Sequence, residues 1–63
     1  MFNEYDVVLA SHDINDKVHK GSKGTILIVY DSNPNQYEVE FIDNQGNTLD
    51  ILTVKQNDIE VAL

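Results

Sequence analysis

The chain contains no cysteine, no arginine and no tryptophan. Without cysteine, disulfides and thiolate metal sites are excluded, and a reducing cytoplasm suits the protein. Without arginine, it lacks the side chain whose planar fork best donates to phosphates and base edges. Four lysines stand against eleven acidic residues, for a formal net charge of −7 and a pI near 4.3. Such a surface repels a phosphate backbone, so nucleic acid is not an expected partner. No apolar run approaches the ~18 residues of a membrane span. The opening MFNEYD has neither the basic start nor the apolar stretch of a secretory leader. Helical periodicity is missing too: apolar residues nowhere recur at i, i+3, i+4 and i+7 over two turns.

Sixty-three residues predict a single domain over 1–63. Starting at Met1 and carrying no tag-like tail, the chain is expected to be a complete small gene product. A domain of this size buries only ~60% of the surface its unfolded chain exposes. With no disulfide available, a compact barrel with few open edges is the expected support.

The strand pattern is clear. Tyr5 to Ala10 reads as a short strand. Gly24 to Tyr30, GTILIVY, is the densest apolar run, with Ile26, Ile28 and Tyr30 predicted on one face and Thr25, Leu27 and Val29 on the other. Tyr37 to Asp43 alternates, with Tyr37, Val39 and Phe41 predicted inward and Glu38 and Glu40 outward. Thr48 to Val54 is a fourth strand, and Ile59 and Val61 mark a short fifth. Asp43 and Gly46 predict a four-residue hairpin loop around a type I turn. DSNPNQ at 31–36 is a second turn, where Pro34 disturbs no ladder. KQND, before Ile59, fits a single 3₁₀ turn. Strand, long loop, three meandering strands, 3₁₀ turn and short strand is the order of a five-stranded all-β SH3-like barrel.

The segments KGSKGTILIVYD and YEVEFIDNQGNTLDILTV, with a short DIEV tail, resemble an uncharacterised bacterial family common in cyanobacteria, the domain of unknown function 4926. Gly21, Gly24 and Thr25 carry the resemblance, then Val39, Glu40, Phe41, Asp43, Gly46 and Thr48, then Leu52, Thr53 and Val54. It covers nearly the whole chain, and its VEF-x-D-x-x-G-x-T block is fairly specific. Members usually carry Asp-Leu-Pro in the first long loop, where this chain reads Asp13-Ile14-Asn15. The resemblance implies an SH3-like fold and a stand-alone small protein of unknown activity. It also implies a gene placed beside another small uncharacterised gene, as in toxin–antitoxin or immunity pairs.

Three sets of residues bear on function. The loop SHDINDKVHKGSKG holds both histidines and three of the four lysines. The spacing of His12, Asp13, Asp16 and His19 matches no metal motif, so no metal and no cofactor are expected. Lys17, Lys20 and Lys23 form a local positive patch that could serve binding, since long loops on rigid scaffolds carry function disproportionately. The second set is Glu38 and Glu40 on one outer face, with Asp50 expected beside them on the neighbouring strand. Like charges side by side on a sheet cost some ~0.2–1 kcal/mol per pair. Local stability therefore does not ask for them, and docking of a basic partner would. Third, Tyr5, Tyr30 and Tyr37 occupy strand positions predicted to be core, not a groove for proline-rich peptides.

No Ser or Thr is tied by any motif to a histidine and a carboxylate, and an exposed carboxylate pair lacks the desolvation that acid–base catalysis needs. The expectation is a cytoplasmic, non-enzymatic acidic module that binds a basic protein partner, in its most concrete form an antitoxin or immunity protein. Its surface would centre on Glu38, Glu40 and Asp50, rimmed by Lys17, Lys20 and Lys23. A small accessory subunit of a larger enzyme or electron-transfer complex is the alternative. Neither membrane nor nucleic acid is expected to bind, and a monomer or weak homodimer is.

Overall fold

The computed structural model describes residues 2–62. Its strands are β1 (Val7–Ala10), β2 (Lys23–Tyr30), β3 (Gln36–Ile42), β4 (Thr48–Lys55) and β5 (Ile59–Val61), with one 3₁₀ turn at Gln56–Asp58. All pairings are antiparallel, and the strand order is β4-β3-β2-β1-β5.

This order forces the sheet to curl. β4 and β5 are its two edges, yet only the three residues of the 3₁₀ turn separate them. Four residue steps reach at most ~14 Å, whereas the outer strands of a flat five-stranded sheet would lie ~19 Å apart. Among the described residues no ladder joins β4 to β5. The sheet is therefore coiled as in an SH3-like barrel, but left open.

The concave side holds the core: Val8, Ala10, Val18, Ile26, Tyr37, Val39, Phe41, Val54 and Ile59. β3 alternates as its sequence predicts, with Tyr37, Val39 and Phe41 fully buried between half-buried neighbours. Phe2 closes one end, its ring edge-on to Tyr37 at 5.6 Å.

β2 departs from strict alternation. Its register against β3 shifts between Ile26 and Ile28, leaving Leu27 as an extra residue. A bulge of this kind advances the side-chain period by one. Ile26 opposite Val39 points into the core, but Ile28 pairs with Glu38 and Val29 with the buried Tyr37. Ile28 and Tyr30, predicted inward, are thus surface residues, and Val29 takes the place against the core.

The first strand is shorter than predicted. Residues 3–6 form a turn in which Asp6 Oδ2 accepts the Asn3 N–H at 2.8 Å, and Tyr5 adopts φ +68°. The Tyr5 side chain is consequently exposed instead of core.

The hairpin after β3 follows its turn chemistry. Gly46 N–H donates to the Asp43 carbonyl at 3.1 Å, Gly46 takes φ +85°, and Asp43 Oδ1 accepts the N–H groups of Gln45 and Asn47. Because Asp43 N–H also bonds the Asn47 carbonyl, the loop proper is three residues, 44–46, one fewer than predicted. Three-residue loops close on a type I turn followed by a left-handed residue, the position Gly46 fills.

The long loop at 11–22 is built, not merely solvated. Asn15 Oδ1 accepts from the N–H groups of Lys17 and Val18 at 2.9 and 2.8 Å. Asn15 Nδ2 donates to Asp50 Oδ2 on β4 at 3.2 Å. The turn so formed drives Val18 into the core, where it is fully buried.

Candidate functional site

The convex face of β2, β3 and β4 brings the outward residues together. Cross-strand partners share a face, so the ladder places Thr25, Glu40 and Ile51 in one row and Ile28, Glu38 and Thr53 in the next. Tyr30 lies beyond Ile28 and reaches Glu38 with its hydroxyl at 3.4 Å.

Each carboxylate is held by a β4 threonine. Thr53 Oγ1 donates to Glu38 Oε1, and Thr48 Oγ1 donates to Glu40 Oε2, both at 2.6 Å. These bonds engage one oxygen of each glutamate and leave the other directed at no hydrogen-bond donor among the described residues. Among the described residues no lysine ammonium lies within ion-pair distance of either glutamate. The face therefore presents two oriented, uncompensated negative charges.

Apolar side chains flank them. Ile28 is 44% exposed, Tyr30 38% and Ile51 48%. Their sequence context gave a partial signal: GTILIVY is apolar at every position after its threonine, so one face of β2 had to show apolar residues outward. Which face it would be depended on the bulge at Leu27.

Asp50 does not belong to this face. It pairs with the buried Phe41, which puts it on the opposite side from Glu38 and Glu40. A second register shift, between Phe41 and Ile42, leaves Leu49 as the extra β4 residue packed against the core. Asp50 instead accepts from Asn15 Nδ2 and from the Ile51 N–H. Its carboxylate supports the loop and charges the β4 edge, a position where charge discourages strand addition.

Lys17, Lys20 and Lys23 are all exposed. Lys17 and Lys20 bond Asn15 and Asp13 through their backbone N–H groups, and among the described residues no carboxylate lies within ion-pair distance of their ammonium groups. Lys23 opens β2 opposite Ile42. The histidines of the same loop diverge. His12 Nε2 meets Asp58 Oδ1 at 2.7 Å, and His19 Nδ1 lies 3.8 Å from Asp13 Oδ1. Among the described residues no three His, Asp or Glu side chains gather in metal-ligating geometry.

A shallow groove of about 660 Å³ lies at the end of the sheet, bordered by Phe2, Pro34, Asn35, Lys55, Gln56 and Ile59. Tyr37 sits beneath it, its hydroxyl bonded to Gln56 Oε1 at 3.2 Å. No helix in the described residues is long and apolar enough to cross a membrane.

The family model described as Domain of unknown function (DUF4926) matches residues 4–61. The chain belongs to this family. The match takes in every strand and both carboxylates of the convex face. No curated protein matches the chain significantly, and no solved structure does. Within this DUF4926 domain, the motif residues Gly24, Val39 and Phe41 form the packed β2–β3 core, whereas Glu40 and Thr48 meet on the convex face.

Proposed function

We propose that this protein is a non-enzymatic module that docks a basic protein on its convex β2–β3–β4 face. The observation that carries the reading is the pairing of Glu38 and Glu40, each oriented by a threonine, with exposed Ile28, Tyr30 and Ile51 beside them. Preorganised acceptors lose little entropy on binding. Apolar neighbours contribute burial and exclude water once a partner covers them. A fitting partner presents two cations ~7 Å apart, the spacing of alternate residues on a strand, with apolar side chains between. The lysine loop is a candidate rim. In its most concrete form the module is a cytoplasmic antitoxin or immunity protein that neutralises a basic neighbour-encoded protein.

Co-purification of the neighbouring gene product with the wild-type protein and with an E38K/E40K variant tests this. Retention by the wild type that weakens in high salt and is lost in the variant supports the reading. Equal retention by both proteins sinks it. Retention of a large catalytic subunit, insensitive to charge reversal, favours a structural accessory role.

A further inference from the structure

His12 has acceptors at both ring nitrogens. Nε2 lies 2.7 Å from Asp58 Oδ1, and Nδ1 lies 3.1 Å from the Asp13 carbonyl oxygen. A neutral imidazole owns one N–H and one lone pair. Whichever nitrogen kept the lone pair would aim it at an oxygen lone pair. Only the imidazolium donates to both. The ring is about half exposed, so charging it entails little loss of hydration.

The same contacts act on the proton equilibrium. The Asp58 hydrogen bond, followed by the Asp13 carbonyl, raises the His12 pKa above its ordinary 6.5. Partial burial pushes the Asp58 carboxyl up, but the Lys55 N–H and the His12 imidazole together outweigh it and hold the carboxyl below its ordinary 3.8.

The pair forms part of a larger clasp. Ser11 N–H donates to the Asp58 carbonyl at 2.9 Å, and Ser11 Oγ donates to the Asn57 carbonyl at 2.8 Å. Asp58 Oδ2 accepts the Lys55 N–H at 2.9 Å. Residues 11 and 12 thus fasten the entry of the long loop to the 3₁₀ turn, and through it to the junction of β4 and β5.

We propose that His12 is a proton-gated latch: its imidazolium ties the Asp13 carbonyl to Asp58 on the 3₁₀ turn, and loss of the proton releases that carbonyl while the Ser11 bonds keep the loop entry in place. On deprotonation the Nε2–H tautomer keeps Asp58 but turns a lone pair toward the Asp13 carbonyl, so the peptide after Asp13 reorients. The charged groups around the ring are few. Asp58 faces it from the 3₁₀ turn, and the Lys55 charge acts on Asp58 from the end of β4. On the loop itself, Asp13 offers its carbonyl, and its carboxylate, bonded by Lys20 N–H at 2.8 Å and 3.8 Å from His19 Nδ1, adds a weaker charge effect in the same direction.

The sign follows from the two shifts. A raised histidine pKa contributes stability fully present below 6.5 and lost as pH rises through the folded value. A lowered aspartate pKa contributes stability present above 3.8 and lost as pH falls through the folded value. The latch is closed below pH 6.5 and opens as pH rises through the raised His12 value.

Nitrogen-detected NMR of the histidine rings in the full chain, across the weakly acidic to weakly alkaline range, tests the latch. The expected result is a His12 midpoint above 6.5, with the Ser11, Asp13 and Ile14 amide signals moving at the same midpoint. D58N should return the His12 midpoint toward its ordinary value. H12Q, a neutral donor that leaves the core untouched, should abolish the pH step in those amides. A His12 midpoint at or below the ordinary value overturns the proposal, as does a pH step that persists in H12Q.

Discussion

Phe41 lays its ring over the bare backbone of Gly24, the residue it faces across the β2–β3 ladder. A methyl group at Gly24 would lie 2.7 Å from Val39 Cγ1 and 2.9 Å from Phe41 Cδ1. Both neighbours are fully buried, so neither can swing aside into solvent. The glycine is what lets the sheet close down on its own aromatic core.

Gly24→Ala is therefore expected to destabilise the domain by ~1–3 kcal/mol, the range for overpacking a filled core. Urea unfolding measures it. A stability equal to or above the wild type would show that the sheet relaxes around the methyl, contrary to the packing described.

Asn15→Ala removes the acceptor for two backbone N–H groups and the donor to Asp50. The expected loss is ~1 kcal/mol, because the half-buried Val18 N–H loses its partner while the exposed Lys17 N–H can turn to water. Hydrogen exchange should locate the change at Val18 and its neighbours. Asp50→Ala, which removes one of these three bonds and an exposed one from the Ile51 N–H, should cost less.

Asp43 should titrate below its ordinary 3.8, chiefly because the Asn47 N–H bonds its carboxylate. A depressed aspartate stabilises the fold above the unfolded pKa, and the contribution disappears as pH falls through the folded value. The Gln45 and Asn47 amide signals should shift with Asp43 in an acid titration monitored by NMR. An Asp43 midpoint at or above 3.8 would contradict the turn geometry.

Ile28→Thr with Ile51→Thr trims two exposed side chains while keeping β-branched residues on both strands. Exposed substitutions of this kind shift stability by only ~0.5 kcal/mol, so thermal unfolding should hardly change. Capture of the basic partner should weaken and remain salt-dependent, because the carboxylates are intact. Undiminished capture would remove the apolar flank from the proposed surface.

Much of this was legible along the chain. The alternation of β3 is unambiguous, since Tyr37, Val39 and Phe41 fill the core while Glu38 and Glu40 cannot. Asp43 and Gly46 announce their turn by chemistry alone. Less legible were Ile28, Tyr30 and Asp50. Each lies beyond a bulge, and a single extra residue reverses the facing of everything after it on that strand. Val18 was hidden for another reason. In a polar loop one valine gives no periodic signal, although Ile14 four residues earlier hinted that the loop has an apolar side.

Residue order by itself determined the five strands, their turns, the inward set on β3 and the acidic character of the surface, because side-chain period and turn chemistry are local properties. Tertiary structure alone decided which outward residues share the convex face. Leu27 and Leu49 are accommodated as bulges only when β2, β3 and β4 coil around a core that must be filled. That coiling set Ile28, Tyr30 and Ile51 beside Glu38 and Glu40, turned Asp50 away to hold Asn15, and brought His12 to Asp58 across 46 positions of chain.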